Sequence, residues 1–227
     1  SSTLEDPIVV YPHPGTYDVS LTVTDAFGTS SQYYNNLINY TDSISLITNT
    51  HNFFQNFENT NFPPSAWELK SPYFSWLATD IDFGIDCQPT TAAYVNHYWI
   101  NYPGKEAYLI SNKISLGNGA TAENWLTYDY AYSGYANGYD DGLRIDVSTD
   151  CGYTWDSIYG AIGTDLQTAP YEGNAWSPIC GSWTSDSINL SAWGLNGDTI
   201  MVRFVAINDY GNHFYLDNIS INGQNIL

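Results

Sequence analysis

The chain of 227 residues carries 24 acidic side chains against 5 lysines and arginines, a net charge of -19 at pH 7. A field of that sign repels nucleic acid and anionic membrane surfaces and draws in divalent cations, for which carboxylates and carbonyls are the hard ligands. An aromatic content of 16 % excludes a disordered chain, and no apolar run reaches the ~20 residues of a membrane-spanning helix.

Residues 1 to 45 read as a unit of their own. Tyr17 to Thr24 alternates apolar and polar, the period of a strand with one face on a core. Asp25-Ala26-Phe27-Gly28 supplies a turn, and Tyr33 to Tyr40 can return as a second strand. Gly15, Tyr17, Val19, Leu21, Val23 and Gly28 occupy the places of the closing pattern of a PKD domain, so this part resembles the C-terminal end of that immunoglobulin-like sandwich, or linker strands pairing with the second unit.

Residues 46 to 227 form that second unit, with short strands between Gly, Pro and Asn turns and no helical periodicity, the texture of an all-β antiparallel sandwich or jelly roll. Strands are predicted at Gln55 to Glu58, Ala107 to Ser111, Asn124 to Tyr132, Leu143 to Ser148, Asp186 to Leu190, Thr199 to Ile207 and Phe214 to Ile221. Arg144 and Arg203 stand among apolar residues of two of these, where each reaches the sheet surface or meets a carboxylate. In the last strand Phe214, Leu216, Ile219 and Ile221 hold core positions around a polar Asp217-Asn218 pair. A carboxylate inside a core-forming strand needs a partner. With five basic side chains available, a bound cation is the preferred one, and backbone hydrogen bonds the alternative.

Cys87, Cys151 and Cys180 allow one disulfide and one leftover thiol; the expected pair is Cys151 with Cys180, the alternative three reduced thiols. The segment Asp80-Ile81-Asp82-Phe83-Gly84-Ile85-Asp86 has alternate acids before a glycine but lacks the terminal glutamate of a calcium loop, so a solvated acidic loop is the better reading. Two stretches are crowded with aromatic residues. Trp99, Tyr102, Tyr135 and Tyr139 fall in their loops, where exposed rings beside Asn and Asp can stack on sugar faces. No His-Glu-x-x-His, Gly-x-Ser-x-Gly or phosphate-cradling loop occurs, and five basic residues are few for a lyase acting on an anionic polymer. A hydrolase or lyase is therefore the least favoured class, and no catalytic residue is assigned.

Phe57-Glu58 followed by Phe62-Pro63-Pro64 and Trp67, then Glu106 to Leu116, Asp141 to Trp155, Trp183 with Ile188 to Leu190, and finally Leu216-Asp217-Asn218-Ile219, stand in the order of landmarks of one family. This stretch resembles the cleaved-adhesin, or choice-of-anchor J, jelly rolls of secreted Bacteroidetes proteins, which are similar to MAM domains. Glu106 replaces that family's aspartate and Asn112 its proline. The resemblance implies a jelly roll whose first and last strands lie side by side, bringing Glu58 to Asp217, and a structural calcium held by these two with Glu106 or Asp141 in support. It implies a non-catalytic adhesion or ligand-binding module, secreted by the type IX route or displayed at the cell surface. Such modules accompany peptidase or adhesin domains of the same polypeptide. A host or extracellular protein is one ligand class; a glycan bound through the Tyr and Trp loops is the other.

Overall fold

In the computed structural model, residues 2–3, 15–40, 53–58, 61–116, 124–135, 138–195 and 198–221 are described. Contacts divide the chain into two units, Ser1–Asn49 and Thr50–Leu227; the boundary predicted after residue 45 lies outside the described residues.

In the first unit, β1 (Gly15–Asp25) and β2 (Gly28–Tyr40) pair antiparallel as a two-stranded sheet. Asp25 makes the turn: its Oδ1 accepts from Phe27 N at 2.7 Å and Gly28 N at 3.0 Å, the self-capping that makes aspartate a turn former. Leu21 and Val23, on the same side of β1, are exposed.

The second unit contains β3 (Phe53–Gln55), β4 (Glu68–Lys70), β5 (Leu77–Ile81), β6 (Thr90–Val95), β7 (Lys105–Ile110), β8 (Ile114–Ser115), β9 (Trp125–Tyr135), β10 (Gly142–Ser148), β11 (Asp156–Ile162), β12 (Ala169–Glu172), β13 (Thr184–Asn189), β14 (Thr199–Asn208) and β15 (Phe214–Ile221). One sheet has six strands in the order β11-β10-β14-β7-β4, with β8 beside β14. The other has seven in the order β12-β9-β15-β6-β5, with β13 beside β9 and β3 beside β15. Among the described residues, all pairings are antiparallel except β12 with β9.

Side chains of both sheets meet in one apolar layer that includes Trp76, Tyr128, Tyr132, Phe204 and Phe214. Trp76 is fully buried, and its indole N–H donates to Ala107 O at 3.0 Å, so the layer's largest side chain leaves no polar group unpaired. The Asp217-Asn218 interruption in β15 is a bulge. Asn218 adopts φ 49° and the register with β9 shifts between Asp217 and Ser220. One extra residue resets the alternation, so that Leu216 and Ile219 both reach the core.

The seven-stranded sheet is covered on its other face too. Ala92 and Ala131 are small enough to admit Trp176 and Trp183 over Tyr215 and Ile81. The segment carrying those tryptophans is tied down by the Cys87–Cys180 disulfide and by Trp183 Nε1, which donates to Phe83 O at 2.8 Å. This corrects the expected Cys151–Cys180 pair. Cys180 lies over the turn between β5 and β6, whereas Cys151 is in the turn between β10 and β11 of the opposite sheet and is a free, exposed thiol.

Candidate functional site

Three connections meet at one end of the sandwich: residues 96–104 after β6, 138–141 between β9 and β10, and 209–213 before β15. Their order comes from a buried polar group beneath them. Asp141 is 0 % exposed, and its Oδ1 accepts from Asp209 N at 2.7 Å and Gly211 N at 3.1 Å. Its Oδ2 accepts from Asn212 N at 2.9 Å and from the Tyr132 hydroxyl at 3.2 Å. The carboxylate sits in a nest of backbone donors, which compensates its charge without a cation. Burial and this anion push the Tyr132 hydroxyl upward in pKa. The grip fixes Tyr210 at φ 59°, a conformation disfavoured for an aromatic residue, and it demands a glycine at 211, where a Cβ would collide with Asp141 Oδ2.

Asn208 links this nest to the first loop. Its Oδ1 accepts from Tyr102 N at 2.7 Å, and its Nδ2 lies 2.9 Å from His97 Nδ1. His97 is fully buried; desolvation lowers its pKa, outweighing the pull of Asp141, so the ring is neutral and Nδ1 accepts. His97 opens the 3-10 turn His97–Trp99, which Asn96 caps by accepting from Trp99 N.

Above this group the aromatic side chains form a connected ladder. Trp99, 71 % exposed, meets Tyr98 edge-on at 4.8 Å between ring centroids. Tyr98 meets Tyr135 at 5.6 Å, Tyr135 meets Tyr139 at 5.8 Å, and Tyr139 meets Tyr210 at 5.4 Å. His213 supplies polar atoms at the ladder's side: Nε2 lies 2.9 Å from Asn96 Oδ1, its ring faces Tyr94 and Tyr98, and burial lowers its pKa to about 4. Of the four rings singled out in the sequence, Trp99, Tyr135 and Tyr139 therefore come together. Tyr102 packs instead on Tyr73 at 5.6 Å. Tyr98 and Tyr210 complete the ladder; the sequence signal for Tyr210 is an aromatic residue beside Gly211 in the turn before the last strand.

A second group lies further along β15. β3 pairs with β15, so the first and last strands of this unit are neighbours and Glu58 approaches Asp217. Thr90 joins them: its hydroxyl is 2.6 Å from Glu58 Oε1 and 3.2 Å from Asp217 Oδ2. A hydroxyl has one hydrogen and cannot serve both carboxylates. Asp217 Oδ1 accepts from Asn218 N at 2.8 Å, and Asp217 stands directly across the strands from Asp129. Asp129 in turn accepts from Asn218 Nδ2 and from the Ser185 hydroxyl. Among the described residues no ion pair reaches any of the three carboxylates. Burial, with Asp129 and Glu58 adding repulsion, pushes the Asp217 carboxyl up to about 8. This donor set is all oxygen and short of positive charge, which suits a hard cation. The described residues hold no cluster of three or more His, Cys, Asp or Glu placed to bind a metal, so oxygen ligands beyond this pair would be carbonyls and hydroxyls.

Neither supporting ligand named from the resemblance joins this pair. Glu106 lies in the opposite sheet, where Arg144 grips both its oxygens at 2.6 and 3.1 Å and holds its carboxyl below the usual range. Asp141 is committed to the backbone nest. The acidic segment 80–86 is divided: Asp80 and Ile81 end β5, with Ile81 buried, and the solvated turn begins after them, where Asp82 is exposed and Asp86 caps Gln88 N at 2.9 Å.

No protein-family model matches the sequence, and no curated protein matches it. Among solved structures, the K1 cleaved adhesin domain of Lys-gingipain from Porphyromonas gingivalis W83 matches with a TM-score of 0.53 at 16 % identity, covering 76 % of this chain and 98 % of that one. The K2 and K3 domains of Lys-gingipain match with TM-scores of 0.49 and 0.48 at 15 % and 16 % identity, covering 76 % and 75 % of this chain and 98 % and 97 % of theirs. The β-sandwich of the second unit has the fold of the K1 cleaved adhesin domain.

Proposed function

We propose that this chain is a non-catalytic adhesion module of a secreted or cell-surface bacterial protein, stabilised by calcium at Glu58 and Asp217, and that its ligand is a glycan held on the aromatic ladder. The observation that supports the ligand class is the ladder itself. Four rings from three loops and Tyr135 at the end of β9, Trp99 the most exposed, are presented over a buried anchor with Asn96 and His213 alongside, and stacking surface beside fixed polar groups is what a pyranose needs. The resemblance to modules that accompany peptidases and adhesins favours an accessory role.

A glycan array followed by affinity electrophoresis tests the ligand. Retention on at least one glycan is expected, with Trp99→Ala and Tyr139→Ala each weakening it about tenfold, equivalent to ~1.4 kcal/mol. Binding to no glycan, or binding unchanged in both variants, would sink the reading. For the metal, calcium added to chelator-treated protein should raise Tm by mass action on the native state; an unmoved melting curve would remove calcium from the account.

A further inference from the structure

Four of the five basic side chains of the chain stand on strands of the six-stranded sheet and the fifth lies between two of its strands. Lys70 is in β4, Lys105 in β7, Arg144 in β10 and Arg203 in β14, while Lys113 lies in the short connection from β7 to β8. Lys70 and Arg203 face one hollow of about 230 Å³, on the side of that sheet away from the core, lined also by Glu68, Tyr108, Cys151 and Trp155. Register explains the convergence: Lys70 pairs with Tyr108, Glu68 with Ile110, and Ile110 with Arg203, so these alternate positions share a face.

Arg203 is preorganised. Its guanidinium carbon lies 4.4 Å from the Trp155 ring centroid and 4.9 Å from that of Tyr108, and its Nε donates to Asp146 Oδ2 at 2.8 Å. That leaves the two terminal nitrogens for the hollow, a planar fork suited to a carboxylate. Arg144 pairs with Glu106 and shares Asp146 with Arg203, whereas Lys70 has no ion-pair partner among the described residues. Charges more than about 8 Å away are screened at physiological salt, so the chain's overall negative charge counts little here, and the groups that set the local potential are Lys70, Arg203, Glu68 and Asp146.

We propose that this hollow binds a single carboxylate-bearing sugar residue. The carboxylate bridges Arg203 and Lys70, the ring lies against Trp155, and Glu68 accepts from a ring hydroxyl. The volume falls below the roughly 300–1,000 Å³ of sites for larger ligands, which limits the occupant to one ring. A neutral sugar would leave Lys70 without a carboxylate partner and the terminal nitrogens of Arg203 unused. The site is separate from the aromatic ladder, and the two fail independently.

Cys151 lines the hollow and is the chain's free thiol, Cys87 and Cys180 being joined, so its alkylation by iodoacetamide reads occupancy by mass spectrometry. Glucuronate, galacturonate and N-acetylneuraminate are the probes; acetate is the control for charge without a ring, and glucose for a ring without charge. At least one acidic sugar should slow alkylation with half-effect on the order of 1–10 mM. Glucose should not protect, and acetate should protect at least tenfold less well. Protection should fall tenfold in Lys70→Ala and in Arg203→Lys, and persist in Trp99→Ala. No protection by any acidic sugar at ten times that concentration overturns the proposal, as does equal protection by glucose or acetate, or full protection in Lys70→Ala.

Discussion

Asp141 is 0 % exposed and Asp217 is 3 % exposed, yet the fold treats these two buried carboxylates in opposite ways. Asp141 takes three backbone N–H groups and a tyrosine hydroxyl, so its charge is met by the chain itself. Asp217 takes one backbone N–H and a shared threonine hydroxyl, and it faces two further acids. The difference separates an acid that organises loops from one whose charge the described residues leave unmet. Both occur along β6, which begins at Thr90 beside Asp217 and is followed by Asn96 and His97 beside the Asp141 nest.

The largest effect should come from Asp141→Asn. The amide replaces an acceptor oxygen with a donor facing backbone donors, and breaking a buried charged group of this kind costs roughly 3–5 kcal/mol. Urea denaturation should show that loss, and Gly211→Ala should reproduce much of it, because the added Cβ collides with the same carboxylate. A loss below about 1 kcal/mol in both variants would remove the nest from its anchoring role. Asp217→Asn should do the reverse in chelator: metal-free protein should melt at the same temperature or higher, and the rise on adding calcium should disappear. Asp217→Asn destabilised as much as Asp141→Asn in chelator would erase the contrast.

The pH dependence of the two regions should also run in opposite directions. The Asp217 carboxyl rises from an ordinary value of 3.8 to about 8 on folding, so the folded state holds the proton more tightly. Metal-free stability from this group is fullest below pH 4 and is lost as pH rises towards 8. His97 and His213 are lowered from 6.5, His213 to about 4, so the folded state holds their protons less tightly. Their contribution is intact above pH 6.5 and is lost as pH falls towards 4. Melting curves of Asp217→Asn in chelator should therefore keep the acid-side loss and lose the decline on the alkaline side. An unchanged profile in that variant would assign the alkaline decline to other groups.

Much of the frame was legible in the sequence because it rests on alternation. Each of the seven strands predicted after residue 50 overlaps an observed one, the first only at Gln55, and Asp217 and Glu58 meet as the paired first and last strands require. β6 was not legible, since Thr90-Thr91-Ala92-Ala93-Tyr94-Val95 is covered on both faces and small residues replace the expected period. The Asp141 nest was invisible for a different reason: its partners are backbone N–H groups about seventy residues away, which no side-chain pattern encodes. Spacing does not single out Cys87, because its contact with Cys180 depends on a loop folding across a sheet face, and that path follows from Trp176 and Trp183 filling the space above two alanines.

The smallest expected effect on stability is the one that isolates the ligand surface. Trp99 is the most exposed ring of the ladder and meets it through Tyr98, so Trp99→Ala should move the unfolding free energy by no more than about 0.5 kcal/mol. Asp141→Asn, by contrast, should lower stability and glycan retention together, because it releases the loops that carry Tyr139 and Tyr210. A binding loss in Trp99→Ala at unchanged stability would separate recognition from anchoring. If Trp99→Ala instead unfolded the loops, the ladder would be part of the core of that end of the sandwich, and the glycan would have to be sought on another face.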